Sequence, residues 1–216
     1  MKDVINFLKK LKKNNNREWF NAHKIEYLAA REEFTQFVEK LIASVSEFDS
    51  SVAGVNAQKA VFRIYRDIRF SKDKSPYKTN FGAAINASGK SISSPVYYVN
   101  IEPGDNFIGC GVYMPQAMQL LSIRNAIVKN SEEFLRIVNA KSFTEVFGKL
   151  EGERVKTAPK GFSRDHEMID YLRLKSFVVI NREISESDVE AKNFVAKTAK
   201  MFKLAYPLIA FLRNTS

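Results

Sequence analysis

One cysteine and two histidines are all the soft metal ligands that 216 residues offer. A single thiol forbids an internal disulfide, and one Cys with two His cannot make a Cys/His zinc cluster. Six prolines and nine glycines exclude a collagen-like or linker-like chain. No apolar run approaches the ~18 residues a membrane helix needs. The opening MKDVINFLKKLKK lacks the uninterrupted apolar core and small-residue cleavage site of a signal peptide. The expectation is a soluble cytoplasmic protein with no membrane partner, no cofactor and no metal centre.

What is present is an ordinary globular balance, 45% hydrophobic and 27% charged, with seventeen Phe, eight Tyr and one Trp for packing. The net charge of +10 is unevenly placed. Residues 59–78 hold seven basic and two acidic side chains, half the excess in twenty residues. A uniform basic surface suggests general affinity for nucleic acid or anionic membranes, whereas a concentrated one suggests a site.

No repeat, low-complexity tract or linker divides the chain, so 1–216 reads as a single domain. Asp3 is placed to cap a short helix with Val4, Ile5, Phe7, Leu8 and Leu11 on one face, broken by Lys12–Asn16. A long helix is predicted over 23–48 from the 3-4 spacing of Phe34, Phe37, Val38, Leu41, Ile42, Val45 and Phe48. Trp19 and Phe20, just before it, are placed to lock the first helix down. Period-2 segments near 62–70, 80–86, 96–102, 107–113 and 176–183 predict strands. The turn clusters Ala87–Lys90 and Glu102–Asn106 make a meander of the middle ones. Helices follow after Pro115 and Ser131. Ser187 with Glu190 signals a capping box for a last helix that Pro207 ends or kinks. The fold class is therefore α+β: a central, mainly antiparallel sheet flanked by N- and C-terminal helices.

The stretch FRIYRDIRFSKDKSPYKTNFG (Phe62–Gly82) stands apart. It sets Arg63, Arg66, Arg69, Lys72, Lys74 and Lys78 around two carboxylates, Asp67 and Asp73. Guanidinium forks suit phosphate or carboxylate, and Lys supplies a flexible point charge. Alternation puts Arg63 and Arg69 on one face and Arg66 among Phe62, Ile64, Ile68 and Phe70. A guanidinium there needs a carboxylate or a bound anion, so Arg66 is expected to be substantially buried and paired.

The string R-x-Y-R-D-x-R-F-S-x-D-K-S-P-Y-K, Arg63–Lys78, resembles the bacterial and fungal family known as domain of unknown function 2461. REWF (Arg17–Phe20), GVYMPQAMQLLSIR (Gly111–Arg124) and GFSRDHEMIDYLRLKSF (Gly161–Phe177) look like the same family, in order along nearly the whole chain. The resemblance implies a shared fold and carries no reaction. Arg63, Tyr65, Arg66, Asp67, Arg69, Lys74, Tyr77, Lys78, Arg124, Arg173 and Lys175 match its motif positions, and no catalytic role comes with them.

Other candidates are weaker. His23 reads as a surface or capping residue, and His166 as a general base only if it faces Arg124. Cys110, between two glycines in a strand, reads as a small core residue. Asp67, Asp73, Asp170 and Glu183 match no metal-binding spacing.

Three functions remain open. The first is a pocket for a phosphate- or carboxylate-bearing small molecule, with Arg63, Arg66, Arg69, Lys74 and Lys78 around the anion. Arg124 and Arg173 would close it, and Tyr65, Tyr77 and Tyr113 would supply hydroxyls or a stacking face. The second is a structural or protein-interaction module whose Arg residues are internally paired. The third, ranked below both, is nucleic-acid binding through 59–78 with aromatic interleaving at Tyr65, Phe70 and Tyr77. Whether any reaction is catalysed, and the oligomeric state, are left open by the sequence.

Overall fold

A computed structural model of the chain describes residues 1–87, 89 and 91–215. Three helices open it: α1 (Lys2–Lys13), α2 (Arg17–Ala22) and α3 (Lys24–Ser46). α1 buries Val4, Ile5, Phe7, Leu8 and Leu11 and carries Lys10, Lys12 and Lys13 in its last turn, where cations suit the negative pole of the helix. The helix starts two residues earlier than expected, so Asp3 lies in the first turn and does not cap it. The Val4 amide instead donates to Glu33 of α3 at 3.1 Å. A 3-10 turn (Ser50–Val52) and α4 (Ala57–Ala60) lead towards β1 (Phe81–Ile85), β2 (Val96–Ile101) and β3 (Phe107–Val112). Helices α5 (Ala117–Lys129), α6 (Ser131–Val138), α7 (Lys141–Phe147) and α8 (Ile169–Leu172) precede β4 (Phe177–Asn181). The last helices are α9 (Glu186–Glu190) and α10 (Phe194–Arg213).

The strands pair in the order β1-β2-β3-β4 as an antiparallel sheet, and the fold is α+β with N- and C-terminal helices. Four of the five expected strands are present. The fifth, 62–70, is not a strand: among the described residues its β pairing is the isolated bridge Tyr65↔Tyr77, with Val61↔Ala83 just before it. Of the turn Ala87–Lys90, Ser88 and Lys90 lie outside the described residues. The expected caps shift too. Asn130, not Ser131, precedes α6, and the capping box is Ser185 with Asp188 at the start of α9. Pro207 sits inside α10, which continues to Arg213.

The chain forms two compact units. The first comprises Met1–Lys90, Tyr98–Ile108 and Arg182–Ala199. Its centre is aromatic: Phe7 meets Phe20, Tyr27 and Phe81 at centroid distances of 5.8–6.4 Å, and Phe34 stacks on Phe81 at 5.5 Å. These contacts seat α1 and the long helix α3 on β1, and burial of such rings dominates core energetics. The second unit comprises Ser91–Tyr97, Gly109–Asn181 and Lys200–Ser216. Here Tyr97 packs on Phe202, and Phe134 packs on Tyr171 and Phe211.

Gly111 of β3 has φ +129°, and a Cβ there would lie 2.0 Å from the Phe177 carbonyl oxygen of β4. Gly104, in the turn after β2, also has positive φ but open space around it. Gly111→Ala is therefore expected to cost about 3 kcal/mol or more through overpacking and backbone strain together. Gly104→Ala is expected to cost only about 1–2 kcal/mol of left-handed strain. Urea unfolding of the two variants checks the difference, and equal losses would contradict the close approach of β3 to β4.

Candidate functional site

The basic stretch forms an excursion that leaves the first unit's core after Val61 and returns at Phe81. Its two limbs run antiparallel. The Phe62 amide donates to the Gly82 carbonyl at 2.9 Å, the Arg66 amide to Pro76 at 3.0 Å and the Lys78 amide to Ile64 at 2.8 Å. A continuous ladder fails for local reasons. Pro76, facing Arg66, has no N–H to return. Asp67 and Asp73 accept backbone bonds two residues onward, from the Arg69 amide at 3.3 Å and the Ser75 amide at 2.9 Å. Such Asx turns divert the backbone from sheet pairing.

Alternation nevertheless survives from Arg63 to Arg69, with Ile64 buried, Arg66 and Ile68 partly buried, and the odd-numbered residues exposed. Phe70, expected on the inner side, is 95% exposed at the tip. Arg66 is paired as expected, but with 26% of its side chain exposed it is not deeply buried. Its guanidinium donates to the Asp73 carboxylate, to the Ser75 carbonyl at 3.2 Å and to the Ser71 hydroxyl at 3.4 Å. The Ser75 hydroxyl and amide, then Arg66, hold the Asp73 carboxyl well below the usual carboxylate range. Arg69 grips Asp67 through Nε at 3.0 Å and Nη2 at 2.6 Å, which lowers the pKa of Asp67 and raises that of Arg69. Arg63 is exposed, and its field adds to the lowering at Asp67. The Lys74 ammonium donates to the Ile68 carbonyl at 3.1 Å. That of Lys78 lies 5.4 Å from the centre of the Phe62 ring, a cation–π distance.

The two tyrosines are anchors more than ligand groups. Tyr77 is buried and stacked on Phe20 at 3.9 Å, so the face a base would need is already covered. Tyr65, 47% exposed, sits against Phe20 at 5.9 Å and Tyr77 at 5.5 Å. Asn15 completes the attachment: its Nδ2 donates to the Tyr77 carbonyl at 2.9 Å and its Oδ1 accepts from the Tyr77 amide at 3.1 Å. Asn16 caps α2 by accepting from the Trp19 amide at 2.9 Å.

Beside this attachment lies a surface depression of about 530 Å³. Asn15, Asn16, Arg17, Lys74 and Ser75 line it, with Ile68 and Pro76 supplying apolar wall. Of the residues singled out by sequence, only Lys74 reaches it. Asn15, Asn16 and Arg17 were missed as site residues because Asn14–Asn16 signals only a helix break; REWF, which begins at Arg17, was the one hint.

Arg124 and Arg173 belong to the second unit, where both serve backbone carbonyls. Arg173 donates through Nε to Val155 at 2.8 Å and through Nη2 to Lys156 at 2.7 Å. Arg124 donates to Leu174 at 3.1 Å, while its Nε is buried with no hydrogen-bond partner among the described residues; burial lowers its pKa. Lys175 pairs with Glu153 at 2.9 Å. Tyr113 is half exposed. His166 accepts from the Met168 amide at 3.0 Å and so shapes the turn into α8. His23 joins α2 to α3 and stacks on Trp19 at 4.1 Å. Burial raises the Cys110 thiol well above its usual value, which leaves it a neutral core group. Among the described residues, no three His, Cys, Asp or Glu side chains gather as a metal site, and no helix is long and apolar enough to cross a membrane.

Fold and site thus define an α+β protein with a self-paired basic excursion. The chain belongs to the family described as conserved hypothetical protein (DUF2461), whose model matches residues 3–211. Neither the curated proteins nor the solved structures compared with it give a match.

Because Arg66 is partly exposed and its partner Asp73 is 61% exposed, solvent screens the pair. Arg66→Ala is expected to cost about 1–2 kcal/mol, less than the ~3–5 kcal/mol of breaking a fully buried pair. The Asp73 carboxylate has a folded pKa below its ordinary 3.8. Its contribution is therefore complete above that value and lost as the pH falls below it. The stability gap between wild type and Asp73→Asn should stay constant above about pH 4 and narrow in more acid solution. Denaturant melts across that range check this; a gap that widens on acidification would contradict the pairing.

Proposed function

We propose that this protein binds a small molecule bearing a phosphate or carboxylate in the depression at the base of the excursion. The observation that carries the reading is that Arg17 and Lys74, more than fifty residues apart in sequence, line the same depression. Arg17 brings a planar fork, and the Lys74 ammonium retains two donors beyond its bond to Ile68. Asn and Ser side chains add neutral polar groups, and Ile68 and Pro76 offer apolar contact to the rest of the ligand. Arg66 and Arg69 drop out as primary ligands in this reading because their forks are already engaged by Asp73 and Asp67. The reading is one of binding, with no reaction attached, and a cytoplasmic location goes with it as an expectation.

The same two ion pairs favour a second reading, a structural or protein-interaction module in which the arginines stiffen the excursion. Nucleic acid ranks third. Arg69 is tied to Asp67, and Tyr77 is covered by Phe20, which weakens both the phosphate track and the stacking platform such binding uses.

Inorganic phosphate should raise the melting temperature of the wild type by binding the native state. Arg17→Gln and Lys74→Gln should each weaken that binding about tenfold or more, while Arg69→Ala leaves it nearly unchanged. A single-stranded oligonucleotide at two salt concentrations is the companion measurement, since phosphate-backbone binding falls steeply with salt. If phosphate leaves the melt unmoved and oligonucleotide binds with a steep salt slope, the proposal is wrong. If neither binds, the structural reading takes its place.

A further inference from the structure

A helix that packs only on its own unit buries one apolar stripe and turns a polar one to solvent. In the second unit, α5 buries Ile123 and Ile127 but does not show a polar back. Met118, Leu121, Asn125 and Val128 follow one another at 3-4-3 spacing on the opposite side, which places them on one stripe. All four are exposed, Met118 by 85%. Tyr113 and Met114, in the segment that leads into the helix, are each about half exposed. Met114 also holds φ +48°, a left-handed conformation that disfavours a long side chain. Neither burial nor backbone geometry accounts for a methionine there.

Size and charge say what covers this face. The apolar side chains leave on the order of 600 Å² open, the upper end of what a monomer shows in one patch. The neutral residues between them bring the face near the roughly 800 Å² per partner of a stable interface. From Tyr113 to Val128 the one charged residue is Arg124, and it is turned inward to the Leu174 carbonyl with its Nε buried. A chain of net charge +10 repels its own copy over most contacts, but an uncharged stripe meets its copy without that cost. A two-fold interface demands such self-complementarity. Asn125 adds to it: its amide carries both donor and acceptor, so two copies can satisfy each other. A single Asn in an apolar 3-4 stripe also sets the register of a helix pair.

We propose that the outer face of α5 is a homodimer interface in which the α5 helices of two copies run parallel about a two-fold axis. Met118, Leu121, Asn125 and Val128 each meet the same residue of the second copy. The face lies within the second unit and shares no residue with the phosphate depression, so either proposal can fail alone.

Sedimentation equilibrium of the full chain is the first measurement. At about 100 μM, above the micromolar constants of the weaker interfaces of this size, the wild type should have twice the mass of one chain. Met118→Glu and Leu121→Glu each set two carboxylates against one another across the axis and should sediment as monomers. Both residues are exposed, so the helical circular dichroism should match that of the wild type. The direction of the helices is read by cross-linking. Leu121→Cys should oxidise to a disulfide-linked pair, because a parallel pair brings residue 121 to its own copy. Lys141→Cys, an exposed position on α7, should not, and the native Cys110 is buried. A wild type that stays monomeric, a dimer that survives in both Glu variants, or linking of Leu121→Cys no faster than of Lys141→Cys would overturn the inference.

Discussion

The arrangement of the basic excursion depends on how Tyr77 is held. Its ring stacks on Phe20 and its backbone amide and carbonyl are both taken by Asn15. Phe20 in turn packs on Phe7 and Tyr27, so the attachment is continuous with the core that seats α1 and α3. An extended segment rich in cations would otherwise repel itself away from the protein. Fixing one limb at Tyr77 brings Pro76 opposite Arg66 and Ile64 opposite Lys78, the register in which Arg66 meets Asp73 across the limbs, while Asp67 and Arg69 pair locally.

The charge pattern then resolves into two levels. Along the excursion each carboxylate is matched to one arginine, Asp73 to Arg66 and Asp67 to Arg69. These pairs are solvent-screened, so they contribute more to shape than to stability. At its base, Arg17 and Lys74 face a common depression without a carboxylate in its lining. Folding thus divides the cluster of like charges into arginines tied to the loop's own carboxylates and a lysine, Lys74, that lines the depression.

Much of this architecture was legible beforehand. The helix of α3 followed from the 3-4 spacing of Phe34, Phe37, Val38 and Leu41, and all four are buried. β1, β2 and β3 followed from period-2 runs between turn residues. What was not legible came from competition between local bonds and regular pairing. Residues 62–70 alternate like a strand, but Asp67 and Asp73 form turns with their own following amides, and Pro76 interrupts the opposing limb. Arg66 was expected to be paired, and is; its depth was overestimated because alternation says which side a residue faces, not how closely that side is covered. The site fared less well: Asn15, Asn16 and Arg17 come near Lys74 only through the Tyr77 attachment, some sixty residues away in sequence, and no spacing rule encodes that.

The central claim is that the excursion is an anchored, internally bonded structure and not a basic loop waiting for a partner. Amide hydrogen exchange on the unliganded wild type tests it most directly. The amides of Phe62, Arg66 and Lys78, each bonded across the two limbs, should exchange far more slowly than that of Lys72 near the tip. Exchange of all four at the rate of an unstructured chain would contradict the account.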